Sequence, residues 1–277
     1  MGLIVITGAS AGIGAAAAVE LTRRGRRVLA TGRSSGKLRA VHRDMLAAAP
    51  RGLDVPVPIP ADLAELRQVR ELAERIITGP DRLDVLVNNA GVQPSRRQVT
   101  ADGFELCFAV NHLAPFVLTD SLADRIRTDA GRVVITASSN HAAARLDLAD
   151  PQLASGWSPG LAYANSKLAN ILFGNELRRR MGFAATTFHP GTVTTELNRD
   201  SRFVRVVKPF ERFVMASPAR GAATLVWLAD GAGPDAFQVP YHYRCRPHPV
   251  SAAASDEGLA ARLWELSGEL VRGAGRP

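Results

Sequence analysis

Cysteine is nearly absent from this chain: Cys107 and Cys245 are the only two in 277 residues. Two thiols cannot build a disulfide framework, so a reducing compartment is expected. Long apolar runs are also lacking. The opening "MGLIVITG" is shorter than a signal-peptide core or a membrane span requires, and Ile6 stands where a myristoylation motif needs Ser or Thr. These absences predict a cytoplasmic protein with no stable membrane insertion. Acidic residues are the scarcer charge, 26 against 34 basic ones, for a formal net charge of +8. That excess raises nucleic-acid binding as a possibility. However, the dense runs "RRGRR" (Arg23 to Arg27) and "RRR" (Arg178 to Arg180) fall where helical patterns end, beside Gly25 and Gly182. Cations in a last turn complement the helix dipole, and glycine supplies the C-cap. No zinc-finger or RNP pattern accompanies them, so no nucleic-acid partner is expected.

What is present is ordinary globular composition, 46% hydrophobic and 22% charged. "LIVIT" (3–7), "RVLAT" (27–31), "VPVPI" (55–59), "LDVLVN" (83–88), "RVVITA" (132–137) and "AATTFH" (184–189) read as strands, with another near 236–240. Most are continuously apolar, as parallel strands covered on both faces are. Pro56 and Pro58 weaken the third. Helical patterns lie near 12–24, 37–49, 64–78, 103–127, 163–181, 218–230 and 256–271. The alternation predicts right-handed βαβ crossovers and a doubly wound α/β sheet. No repeat or long linker interrupts it, so residues 1–277 are expected to form a single domain.

Straight after the first strand comes "TGASAGIG", Thr7 to Gly14. Gly8, Gly12 and Gly14, with Ser10 and Ile13 between them, permit a tight turn. They also let backbone N–H groups approach a pyrophosphate at the next helix N-terminus. An NAD site would place an acid about twenty residues beyond such glycines, an NADP site an arginine. Here "ATGRSSGK" offers no acid at Thr31 or Gly32 and has Arg33, with Ser34 and Lys37 nearby. NADP(H) is the expected cofactor.

"LAYANSKLAN" sets Tyr163 and Lys167 four residues apart in a helical run, hence on one face. Carbonyl reduction needs a proton donor beside the carbonyl oxygen. A phenol titrating near pH 10 serves poorly unless nearby positive charge stabilises its anion.

As a set, these residues resemble the short-chain dehydrogenase/reductase family. Thr7 to Gly14, "NNAG" (Asn88 to Gly91), "NHLAPFVLT" around Asn111, "ITASS" ending at Ser139, "YANSK" (Tyr163 to Lys167) and "HPGTVTTEL" (His189 to Leu197) occur in the family's order. The resemblance implies a Rossmann-type three-layer sandwich with a seven-stranded parallel sheet. It assigns Tyr163 as acid in reduction and base in oxidation, and Lys167 as a partner of the nicotinamide ribose. Ser139 is the group that holds the substrate oxygen; Ser138 offers the same hydroxyl one residue earlier, and the family pattern favours the second. Asn111 holds a water in a proton relay to Lys167. Asp62 receives the adenine amino group and also suits an N-cap. Asn89, Ala90 and Gly91 line the adenosine ribose, Ile13 the pyrophosphate turn, and Pro190, Gly191, Val193 and Thr195 the nicotinamide carboxamide. The wide spacing from Ser139 to Tyr163, the segment "SPARGAAT" (217–224) and the ending "ARLWELSGELV" (261–271) look like the retinol dehydrogenase-like branch, similar also to light-dependent protochlorophyllide reductases.

"RFVRVVKPFERFVM" (202–215) reads as an amphipathic lid near 192–216 or as a helix on its own core. His141 is read as a structural or substrate-facing loop residue. His242, Cys245 and His248 have metal-like spacing but no fourth ligand, and no metal is expected. The reading is a ketoreductase using NADPH on a bulky apolar carbonyl compound. Its alternatives are an NADP-linked alcohol dehydrogenase and a noncatalytic NADP(H) sensor. Monomer and homodimer both fit.

Overall fold

Leu3 and Val5 face one layer of apolar side chains while Ile4 and Ile6 face the other, the alternation of a strand covered on both sides. The computed structural model describes residues 2–191 and 217–274. The strands are β1 (Leu3–Ile6), β2 (Arg27–Gly32), β3 (Ile59–Pro60), β4 (Leu83–Asn88), β5 (Arg132–Thr136), β6 (Ala184–Phe188), β7 (Tyr241–Tyr243) and β8 (Arg246–Pro247). They lie in the order β3-β2-β1-β4-β5-β6-β7-β8, parallel from β3 through β7. The order reverses direction between β1 and β4, the place where doubly wound sheets open a ligand crevice.

The helices are α1 (Gly12–Arg23), α2 (Ser35–Ala48), α3 (Leu66–Ile77), α4 (Leu106–Phe108), α5 (Ala114–Ser121), α6 (Ala123–Asp129), α7 (Pro159–Met181), α8 (Pro218–Val226) and α9 (Glu257–Gly273). α1, α2 and α8 cover one face of the sheet. α3, α5, α7 and α9 cover the other, with Trp264 of α9 seated against Phe116 and Phe173. The three-layer Rossmann-type fold is thus as expected, with four corrections.

Among the described residues the sheet has eight strands, not seven, because β8 adds antiparallel to β7 through a two-residue hairpin. Arg244 and Cys245 at its tip both adopt positive φ, 50° and 59°, as tight hairpin turns demand. The strand sought near 236–240 begins at Tyr241, since Pro234–Phe237 form a 3-10 turn with proline in its first turn. The strand at 55–59 shrinks to Ile59–Pro60, because Pro56 and Pro58 have no N–H to give a ladder. The long helical pattern at 103–127 is broken as well. Between α4 and α5 the helix widens into a π turn, Ala109–Leu113, that contains Asn111.

The arginine runs are largely consumed within the chain. Arg23 and Arg24 clasp Glu20, and Arg26 pairs with Asp230. Arg179 and Arg180 grip Glu176, whose side chain is buried. No single helix among the described residues is long and apolar enough to cross a membrane.

The glycine turn is packed to contact. A Cβ on Gly14 would lie 2.6 Å from Asn89 Nδ2 and 2.6 Å from the Gly8 carbonyl oxygen. Gly14→Ala should therefore cost about 1–3 kcal/mol of stability by overpacking; an unchanged urea midpoint would show that the turn relaxes freely.

Candidate active site

One hydroxyl joins the glycine turn to the loop after β4. Thr7 Oγ1 accepts the backbone N–H groups of Asn89, at 3.0 Å, and Ala90, at 3.1 Å. Asn89 returns the contact through Nδ2 to the Thr7 carbonyl, 2.9 Å. Gly8 turns with φ +67°, and a Cβ there would lie 2.6 Å from Ala90 Cα. The cradle and the NNAG loop are therefore one unit.

α1 opens from Ala11, which has no side chain able to cap, and carries no acid in its first turn. A bare helix N-terminus of this kind leaves its first N–H groups directed at an anion. Ile13 and Gly14 are buried within that turn. Ser10 faces the end of β2: a Cβ on Gly32 would sit 3.2 Å from Ser10 Oγ, which leaves no room there for an acidic side chain. Arg33 follows, exposed and with no carboxylate partner among the described residues. Ser34 caps α2 by accepting the Lys37 N–H, 3.3 Å. Asp62 accepts the Ala64 N–H at 3.0 Å and takes the Gln68 side-chain oxygen on its own N–H, at 2.9 Å. It closes a turn ahead of α3 but is not that helix's N-cap, which is Glu65. The donor set and the missing acid suit a dinucleotide carrying an extra phosphate.

On α7, Lys167 is 2% exposed. Its Nζ donates to the Thr136 carbonyl at 3.0 Å and stands 5.4 Å from the centre of the Tyr163 ring. Asn170 Nδ2 gives the same carbonyl a second bond, 3.2 Å. Burial pulls the Lys167 pKa down to about 8. Tyr163 moves the other way: burial pushes its phenol up to about 12, and a hydrogen bond with the Ser138 hydroxyl partly offsets this. The expected lowering of the phenol by Lys167 is absent from the protein's own field, where desolvation wins.

The serine beside Tyr163 is Ser138, not the expected Ser139. Ser138 is extended, φ −159°, at the end of the strand path, and accepts the Asn140 N–H on its hydroxyl. Ser139 is exposed and starts the following 3-10 turn. Successive residues of an extended segment point to opposite sides, so only one of the pair can meet the tyrosine.

Asn111 is completely buried. Its Oδ1 accepts the Val92 N–H at 2.7 Å, and its Nδ2 reaches the Val92 carbonyl, Ser166 Oγ and Cys107 Sγ. Cys107, pushed up to about 12 chiefly by burial, stays a thiol and donates to the Val92 carbonyl. Asn111 makes no direct bond to Lys167, but both abut Gly91: a Cβ there would lie 3.4 Å from Lys167 Nζ and 3.5 Å from Asn111 Oδ1. Pro190 and Gly191 follow β6, and the Gly191 N–H is held by His189 Nδ1 at 3.1 Å. Val193, Thr195 and the lid segment near 192–216 lie outside the described residues. Sequence reasoning missed Thr7, Cys107, Ser166 and Asn170 as partners in this site. Each carried a positional signal: Thr7 opens the glycine motif, Cys107 precedes Asn111 by one helical turn, Ser166 lies between Tyr163 and Lys167, and Asn170 follows Lys167 by three residues.

Residues 2–203 match the family model described as short chain dehydrogenase. The chain belongs to that family. It is 40% identical to a Streptomyces sp. (strain C5) protein named "Putative daunorubicin C-13 ketoreductase DnrU", over 97% of this chain and 92% of that one. It is 37% identical to human retinol dehydrogenase 11, over 97% of this chain and 85% of the relative. Among solved structures, an uncharacterized protein from Mycobacterium paratuberculosis superposes with TM-score 0.76 at 33% identity, covering 98% of this chain and 94% of that one. A metagenomic short-chain oxidoreductase in complex with NADP gives 0.60 at 28% identity, covering 83% and 91%. As a member of this family the protein is an oxidoreductase of carbonyl and alcohol groups on small molecules.

Folding withdraws an ammonium from water at Lys167, so between about pH 8 and the ordinary lysine value of 10.5 the unfolded chain holds the extra proton. Stability from this group must rise with pH across that window and be lowest below it. Lys167→Met should raise the melting temperature at pH 7 and flatten that rise; a lower melting temperature at pH 7 would contradict burial as the dominant cost.

Proposed function

We propose that this enzyme is an NADPH-dependent ketoreductase that converts a carbonyl of a bulky, largely apolar molecule to an alcohol, and that the whole chain acts as one dinucleotide-binding unit. The observation that carries the reading is the Tyr163 phenol set beside the Ser138 side chain, with the Lys167 ammonium 5.4 Å from the centre of its ring.

Bound NADPH supplies the hydride, and its oxidised ring supplies positive charge when the reaction runs in reverse. The first-turn amides of α1 with Gly8, Gly12 and Gly14 would hold the pyrophosphate, and Arg33 the 2′-phosphate, a charge-assisted contact. Asp62, Asn89 and Ala90 would border the adenosine side, and Pro190 and Gly191 the nicotinamide side. Ser138 donates to the substrate oxygen and stabilises the charge developing there. Tyr163, whose phenol holds its proton firmly, delivers it as general acid. Lys167 lends its positive charge to the phenolate that remains. Asn111, fixed by Val92, Cys107 and Ser166, is the anchor for water replenishing that proton. The relative named as a C-13 ketoreductase supports reduction of a ketone, and the retinol dehydrogenase relatives support a bulky apolar substrate.

Ser138→Ala should lower kcat by about 10²–10³-fold, as loss of a donor to a developing oxyanion does, while Ser139→Ala should leave it nearly unchanged; the reverse ranking would return the role to Ser139. Arg33→Ala should reduce kcat/KM for NADPH about tenfold or more and leave that for NADH almost untouched. An unchanged ratio of the two efficiencies would reject the phosphate contact.

A further inference from the structure

His141 is 5% exposed, and both ring nitrogens are committed. Nδ1 lies 2.7 Å from the Ser138 carbonyl, an acceptor, so it carries the proton. Nε2 accepts the Ser251 backbone N–H at 3.1 Å, so it carries none. The contacts alone define one neutral tautomer. The ring also meets Tyr241 edge-on, with centroids 5.2 Å apart, which fixes its plane.

We propose that His141 is a positioning residue: its imidazole ties the Ser138 carbonyl to the Ser251 amide and so sets where the Ser138 hydroxyl stands against Tyr163. The inference rests on the reading of Ser138 as the holder of the substrate oxygen. The Ser138 carbonyl accepts twice from this residue, from the ring and from the His141 backbone N–H at 3.2 Å. Two bonds to one carbonyl fix the peptide plane, and the hydroxyl three bonds away follows it. Ser251 in turn begins the 3-10 turn Ala252–Ser255 that leads into α9. The catalytic turn after β5 is therefore referenced to the C-terminal part of the chain, which the first half of the sequence cannot position.

Two substitutions separate the arms. In His141→Asn the amide nitrogen takes the place of Nδ1 and can still donate to Ser138, while the Ser251 arm is lost. In His141→Gln the longer side chain can accept from Ser251 through its oxygen, while the Ser138 arm is lost. Wild type and both variants are assayed with NADPH and a panel of ketones and aldehydes. Each is also labelled at tyrosine Cζ for NMR, the chain having only Tyr163, Tyr241 and Tyr243. The Tyr163 signal is assigned with Tyr163→Phe. Positioning predicts that His141→Gln loses about tenfold or more in kcat, with NADPH Kd within about twofold of wild type, and displaces the Tyr163 resonance. His141→Asn keeps kcat within about threefold and leaves that resonance in place. Equal losses in the two variants, tracking melting temperature, would mean a purely structural histidine and overturn the proposal. If wild type oxidises no NADPH with any carbonyl while the resonance contrast persists, the reductase reading fails and the positioning contact stands. If the contrast is absent, the positioning contact fails whatever the activity.

Discussion

Among the described residues no carboxylate meets the buried Lys167 ammonium, and the Thr136 carbonyl solvates it instead. The requirement ties three elements together. β5 must end at Thr136, α7 must lie across that end, and Asn170 must share the carbonyl. The charge remains costly, as the depressed pKa of about 8 records. Stability is given up at one point so that a cation stands under the tyrosine ring, a trade common where function needs a buried charge.

Several titrating groups on α4, on α7 and after β6 are likewise withdrawn from water. Burial raises Tyr163 and Cys107 and lowers His189 to about 4, so each is held neutral near pH 7. Lys167 is then a cation among neutral groups. Its influence on a developing phenolate is strongest where water is excluded. The neutral network of Asn111, Cys107, Ser166 and Val92 adds rigidity without adding charge.

Much of the fold was legible because its signals are local. Six of the strand patterns coincide with strands to within a few residues, the third much shortened, and Lys167 follows Tyr163 by one helical turn. The failures share a cause. The choice of Ser139 over Ser138 rested on a family pattern because two adjacent hydroxyls are equivalent in sequence, whereas the extended backbone at Ser138 sets that side chain beside Tyr163. The seventh strand was misplaced and the eighth missed because Tyr241–Tyr243 and Arg246–Pro247 are too short for a periodic pattern and form against β6. The π turn at Asn111 leaves no periodic mark either, since one extra residue barely disturbs an apolar pattern that is buried all round.

What the sequence determined by itself was the alternation of strands and helices, the glycine turn with no acid after β2, and the Tyr163–Lys167 pair. Each depends on spacing along one segment. What only the tertiary structure decided was which groups from distant segments share a bond: Thr7 with Asn89 and Ala90, Lys167 with Thr136, His141 with Ser251. Hydrogen bonds reach about 3 Å, and residues separated by up to 110 positions come that close only when the sheet and its helical layers have packed.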